Sequence, residues 1–312
     1  MNDAAGSAVE VDGVAKRFGA TVAVDELSFS VARGEIFGLV GPDGAGKTTA
    51  MRMLASVMTP DTGSIRIDGI DVVKDPAQTK LHVSYMPQRF GLYEDLTVAE
   101  NIRFYADLFE IPAREWRERA LRLLEASGMT PFGDRLAGLL SGGMKQKLGL
   151  TCALVHAPRV LLLDEPTTGV DPVSRREFWQ ILYSLRAQGV AMVISTAYLD
   201  EAERCDRLAL LHQGRIRYCD TPKRLKAGMP GAIVRITAAN PRRLLDAVRA
   251  QVGVDGVLLV GDGLHIHLDD AARRVPELSR ALAPAGVQAA DIKQVEPTIE
   301  DLFVGLLESE AR

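Results

Sequence analysis

GPDGAGKT, residues 41–48, decides how the rest of the chain is read. It matches the pattern G-x-x-x-x-G-K-[ST]. By composition alone such a match arises in about one chain in a hundred of this length, so its surroundings matter. The run IFGLVG (36–41) before it is apolar and strand-like, and a helix pattern runs from Lys47 to about Met58. Glycines let the backbone wrap closely, so that several N–H groups converge on an anion, and the helix adds the positive end of its dipole. Gly41, Pro42, Asp43, Gly44, Ala45, Gly46, Lys47, Thr48 and Thr49 are therefore expected to cradle a polyphosphate. Lys47 would reach its β- and γ-phosphates, and the Thr48 hydroxyl would bind Mg²⁺.

LLLDEP (161–166) ends a second apolar strand-like run in two acids. Burying unpaired carboxylates is costly, so packing alone does not explain them. Asp164 is expected to hold the metal and Glu165 to polarise an attacking water as general base. Between these motifs lies LSGGMKQKLGL (140–150), where Ser141, Gly142 and Gly143 open a helix with free N–H groups, a second anion site.

Working outward, VEVDGV (9–14), LSFSV (27–31) and SIRIDG (64–69) read as strands, as does VAMVIST (190–196). From about 97 to 155 the pattern turns helical. Thr97 and Glu100 form a capping box, and WRERALRLLEASG (116–128) stops at a glycine. Asp171 followed by Pro172 caps another helix. Strands alternating with helices predict an α/β domain with a largely parallel sheet and a helical subdomain. After Gly228–Gly231 the character changes to a β-α-β-β-α-β order with a hairpin at Gly261-Asp262-Gly263, which predicts a small α+β ferredoxin-like domain. The expected division is 1–228 and 229–312.

In this order the motifs resemble the nucleotide-binding subunit of an ABC transporter. LSGGM is similar to that family's signature, LLLDEPTTGVDP to its Walker B and D-loop, and Gln88 in YMPQRFGLYEDLTVAENI to its Q-loop. Phe18 in AKRFGA matches the aromatic that stacks on adenine. The resemblance covers about residues 8–228. It implies a P-loop ATPase that binds ATP and Mg²⁺, with Lys47, Gln88 and Glu165 catalytic. Thr48, Gln88 and Asp164 would serve the metal, and Ser141, Gly142, Gly143 and Asp171 the nucleotide of a second ATP-binding subunit. It further implies a separate membrane permease and a peripheral place on the cytoplasmic face of the inner membrane. LYEDLTVAENIRFYADLF and the ending EPTIEDLFVGLL are similar to ATPases of drug- and lipid-type exporters, including the daunorubicin-resistance kind, which implies a C-terminal domain that regulates or braces the dimer; a stabilising cap with no regulatory role is the equal alternative for 231–312.

Two positions depart from that pattern. Asp43 stands where the family has Asn or Ser, bringing a carboxylate near the γ-phosphate. In STAYLDEAERCD (195–206), Ala197 replaces the histidine that contacts the γ-phosphate, and alanine has no polar group to do so. If the segment stays extended, Tyr198 faces away. This favours an asymmetric pair with a different ATPase subunit over a homodimer. It also keeps open a regulatory subunit that hydrolyses little, beside a third reading, a soluble ABC ATPase outside transport.

The bulk numbers bound the rest. The chain has 312 residues, 47% of them hydrophobic, and a formal charge of -4. No basic block stands out, which argues against a nucleic-acid partner. Apolar runs such as VLLL (160–163) are too short to span a bilayer, and the N-terminus lacks the apolar core of a signal peptide. Cys152, Cys205 and Cys219 form no CxxC pair and read as packing residues. Trp116 and Trp179 fall on apolar helix faces, whereas His265 and His267, alternating in a strand, read as a solvated face.

Overall fold

The computed structural model describes residues 6–89, 91–238, 240–285, 287 and 291–310. It separates into two compact units, one taking the chain up to Tyr198 with Cys205–Tyr218, the other Leu199–Arg204 with Cys219 onward. The division falls at Tyr218–Cys219, ahead of the composition break at Gly228–Gly231.

The first unit holds two sheets. Strands β1 (Ser7–Phe18), β2 (Thr21–Ala32), β4 (Thr62–Ile67) and β5 (Ile70–Asp71) form one, in the order β2-β1-β4-β5, with antiparallel pairs throughout. The other runs β10-β9-β3-β8-β7-β6, from β3 (Ile36–Val40), β6 (Val83–Met86), β7 (Val160–Asp164), β8 (Ala191–Thr196), β9 (Arg207–His212) and β10 (Arg215–Asp220). Its pairs β3·β8, β3·β9, β7·β8 and β6·β7 are parallel. Residues of β3, β7 and β8 are buried on both faces. That is why their sequences run continuously apolar rather than alternating.

Helix α1 (Lys47–Leu54) is sandwiched between the sheets, with Ala50, Met51, Met53 and Leu54 in one core with Val9, Leu27, Phe37, Leu39 and Leu162. The opposite face of the parallel sheet is covered by α6 (Pro172–Ala187), whose Phe178, Trp179 and Leu182 are buried. Trp179 is thus core, as its helical spacing indicated. After α2 (Pro76–His82) come α3 (Val98–Leu108), α4 (Ala113–Ala126) and α5 (Gly142–Leu154), which enclose a separate apolar cluster around Ile102, Leu124 and Leu148. The Thr97–Glu100 capping box forms in full. Gly128 takes φ +66° after α4, the left-handed geometry that ends a helix at glycine.

The second unit begins with α7 (Leu199–Ala202) and α8 (Pro222–Ala227). Strands β11 (Ala232–Thr237), β12 (Val254–Val260), β13 (Gly263–Leu268) and β14 (Ile292–Val295) then form an antiparallel sheet in the order β12-β13-β11-β14. With α9 (Leu245–Arg249) after the first strand and α10 (Ala271–Leu282) after the third, this is the ferredoxin-like order. Leu264, Ile266 and Leu268 point into the core shared with α10.

His265 and His267 occupy the other face, and here the sequence expectation fails. Helix α11 (Ile299–Glu310) covers that face, so His265 is only 6% exposed. Its Nδ1 lies 3.1 Å from both carboxylate oxygens of Asp301. Asp301 in turn accepts from the Thr298 amide and hydroxyl, each at 2.8 Å, which fixes the start of α11. Cys219 likewise differs from expectation, being exposed while Cys152 and Cys205 are buried.

Asp301→Ala would strand a buried imidazole and uncap α11. Leaving one buried partner unsatisfied costs about 1–3 kcal/mol, so this variant should unfold at a lower urea concentration than the parent. An unchanged midpoint would show that the pair does not hold the helix.

Candidate functional site

The strand–loop–helix unit at 36–54 fixes the site's floor. Gly46 is the N-cap of α1 at φ +103°, with no side chain capping the helix. A Cβ on Gly46 would lie 2.3 Å from the Ala23 carbonyl oxygen, and one on Gly41 would lie 2.3 Å from that of Leu211. Both positions are therefore closed to any side chain. The amides at the start of α1 have no helical acceptor and no side-chain cap, so they are donors available to an anion.

The loop borders a cavity of about 420 Å³ lined by Asp43–Thr49, Thr21–Ala23, Gln88 and Glu165. Lys47 is buried beneath it. Its ammonium donates to the carbonyls of Gly41 (2.8 Å) and Pro42 (3.1 Å) and lies 3.2 Å from Glu165 Oε1. Glu165 is also met by Gln88 Nε2 at 3.0 Å and by the Thr168 hydroxyl at 3.5 Å. Its backbone sits at φ +50°, a left-handed geometry that costs a non-glycine residue about 1–2 kcal/mol. The Glu165 amide donates to both the carbonyl (3.1 Å) and the hydroxyl (3.0 Å) of Ser195, and these bonds hold the turn.

Asp164 is 1% exposed, directly beside the cavity's acids. Its Oδ1 accepts from Ser195 Oγ at 2.5 Å and Thr48 Oγ1 at 3.2 Å, and its Oδ2 from Tyr85 OH at 3.1 Å. Strand register places Asp164 opposite Ser195. Thr48 and Asp164 are the pair able to hold a divalent cation. No group of three or more His, Cys, Asp or Glu side chains suited to a metal occurs among the described residues. A cation here would therefore take most of its remaining oxygens from phosphate and water, as Mg²⁺ does.

The remaining expected residues fall elsewhere. Phe18 ends β1, half exposed at 49%, with the Lys16 ammonium 5.9 Å from its ring centroid. Asp43 is exposed at the cavity rim. Ser141 caps α5 by accepting from the Met144 amide at 3.3 Å, and it and Gly142 face solvent. Gly143 is buried so closely that a Cβ would approach the Ser174 hydroxyl to 2.4 Å. Asp171 caps α6, accepting from the amides of Val173 and Ser174 at 3.0 Å each. Hydrogen bonding from the Ser174 backbone is the main reason its carboxyl is held below the usual range. None of Phe18, Ser141, Gly142, Gly143 and Asp171 lines the loop cavity.

Gln88 reaches Glu165, whereas Thr48 and Asp164 meet each other. Ala197 is exposed just beyond β8, which ends at Thr196. Tyr198 is exposed as well, and the Arg175 guanidinium covers its ring at 4.5 Å. The backbone leaves the extended conformation here, because the Tyr198 amide turns back to Thr196 Oγ1 at 2.9 Å. Sequence reasoning missed Ser195, Thr168 and Tyr85. The nearest signals were position, since Ser195 lies one residue before the end of the strand beside the one carrying Asp164 and Tyr85 stands three residues before Gln88.

A family model described as "ABC transporter" matches residues 24–168. A probable multidrug ABC transporter ATP-binding protein of Escherichia coli (strain K12), YbhF, is 43% identical over 311 residues, covering 98% of this chain but 53% of that protein. The chain thus spans about half the length of that relative. The daunorubicin resistance ATP-binding protein DrrA2 of Streptomyces coeruleorubidus is 35% identical, covering 96% of this chain and 95% of its own. A Nod factor export ATP-binding protein I of Paraburkholderia xenovorans (strain LB400) is 36% identical, covering 96% and 97%. A solved ATP-binding subunit of an ABC transporter superposes with TM-score 0.65 at 30% identity, over 70% of this chain and 92% of that one.

Lys47→Ala removes the one buried ammonium among the described residues of the cavity wall. A hydrogen bond to a charged group is worth about 1.5–3 kcal/mol, so ATP affinity, measured by calorimetry, should fall about tenfold to a hundredfold. Affinity equal to the parent's would remove Lys47 from the site.

Proposed function

The chain belongs to the ATP-binding proteins of ABC transporters, and we propose from that membership that it binds and hydrolyses MgATP to power export through a separate membrane permease. The observation that carries the reading is the convergence of α1's uncapped amides, Lys47 and Glu165 on one cavity. The amides and Lys47 balance phosphate charge. Glu165, oriented by Gln88 and Thr168, takes the proton of the attacking water. Mg²⁺ held by Thr48 and Asp164 would supply positive charge to the phosphate oxygens.

No described helix is long and apolar enough to cross a membrane; likeness to the transporter ATP-binding proteins above supports a permease partner and a place for this chain on the cytoplasmic face of the inner membrane. Its docking place is a mostly apolar groove of about 400 Å³ between α3, α5, β6 and the end of α1. Val57 and Leu108 stand at its mouth, each 64% exposed. A short amphipathic helix of the permease fits such a groove.

The solvent-facing Ser141–Gly142 cap supports a second reading level, the pair of subunits. It has no nucleotide cavity of its own and completes the site built on a partner's phosphate loop. We propose that the partner is a different ATPase subunit. Ala197 leaves this chain's own site without one transition-state donor, a loss of about 10²–10³ in rate by analogy with an oxyanion-hole donor. The composite site at Ser141 is unimpaired. Substrates belong to the drug class by likeness to the multidrug and daunorubicin-resistance proteins above, and the second unit braces the dimer.

Two measurements test the asymmetry. The purified chain alone should hydrolyse ATP well below about 1 s⁻¹, the lower end for phosphoryl-transfer enzymes. In the assembled transporter Ser141→Arg should abolish transport while Glu165→Gln only reduces it. Equal loss from both variants would sink the asymmetric pairing and leave the homodimer.

A further inference from the structure

Tyr85 belongs to two sites at once. It sits on β6 opposite Leu162 of β7, two residues before Asp164 on the same strand face. Tyr85 is also one of the residues lining the apolar groove. Its hydroxyl donates to Asp164 Oδ2 at 3.1 Å, on the oxygen that neither Ser195 nor Thr48 touches. Arg52, on the helix that begins at the phosphate loop, hydrogen-bonds the same phenol. The chain then runs three residues on to Gln88, which holds Glu165. One short strand and the two residues that follow it thereby join the groove to both acids.

We propose that Tyr85 is a positioning residue that sets the Asp164 carboxylate for the divalent cation according to what fills the groove. The proposal rests on the reading of Thr48 and Asp164 as the Mg²⁺ pair. A buried carboxylate with three donors has little rotational freedom. Ser195 and Thr48 fix Oδ1, so the Tyr85 hydroxyl alone, among the described contacts, fixes Oδ2. A side chain pressed into the groove bears on the Tyr85 ring, and the ring is rigid from Cβ to oxygen. Displacing it lengthens or shortens one bond to Asp164 while leaving the phosphate loop untouched.

The test uses the full chain, ATP and Mg²⁺, and reads binding rather than turnover. In EDTA, Tyr85→Phe should bind ATP as tightly as the parent, because Lys47 and the loop are unchanged. The Mg²⁺ concentration that half-restores metal-dependent ATP affinity should rise about tenfold, the usual loss when a partner of a metal ligand is removed. Val57→Trp, which crowds the groove, should shift that concentration in the parent and not in the Tyr85→Phe background. Equal Mg²⁺ dependence of Tyr85→Phe and parent overturns the proposal. So does an equal Val57→Trp shift in both backgrounds. If Tyr85→Phe also weakens ATP binding in EDTA, the residue is structural and the proposal fails. A parent that binds ATP with no Mg²⁺ response refutes the metal pair itself, a separate failure from that of Tyr85.

Discussion

A carboxylate almost wholly out of water sets the terms for the first unit. Asp164 is 1% exposed, and a carboxyl group so placed is costly without close hydrogen-bond partners. Its donors come from three different elements, Thr48 on α1, Tyr85 on β6 and Ser195 on β8. Each is correctly placed only if the parallel register β6·β7·β8 is kept and α1 lies against that sheet. A one-residue slip of β8 would turn Ser195 to the other face. It would also free the Glu165 turn, because the same Ser195 accepts from the Glu165 amide. The sheet order, the helix seat and the acid pair are thus one constraint seen at three scales.

Local chemistry was legible because it is written in neighbouring residues. The glycine loop, the Thr97–Glu100 box and the Asp171–Pro172 cap each use residues within a few positions, and all three take the expected geometry. The order of the second unit's strands also followed from its alternation and hairpin. What pattern could not supply was the partner across space. His265 and His267 alternate as a water-facing pair would, since a period of two says which face a side chain takes and not what covers it. Helix α11 covers it, and Asp301 takes the imidazole. Tyr85 and Ser195 were missed for the same reason, because strand register, and no spacing, brings them to Asp164.

The division between units was blurred by a related effect. Residues 199–204 lie in the middle of the first unit's sequence yet group with the second. Their anchor is a polar one. Glu203 accepts from the Ile299 amide at 3.4 Å and pairs with Lys226 at 3.2 Å. A composition break marks where linkers lie, not where a helix finds its contacts, so Gly228–Gly231 was visible and this excursion was not.

That excursion bears on Ala197. The residue is exposed between Thr196, which ends β8, and Leu199, which opens a helix of the second unit. With no imidazole, the position cannot report on a phosphate by hydrogen bonding. Glu165 does not go unguided, because Gln88, Thr168 and Lys47 already constrain its carboxylate and Ser195 its backbone. On the proposed reading of Glu165 as the base, that base is held in place without the histidine, while the developing charge on the phosphate would lack one donor. Placement and charge stabilisation are different contributions, and the second is the larger in most phosphoryl and acyl transfers. A site with its base positioned but its charge under-stabilised would bind ATP well and turn it over slowly, and that is the physical basis on which the asymmetric pairing is proposed.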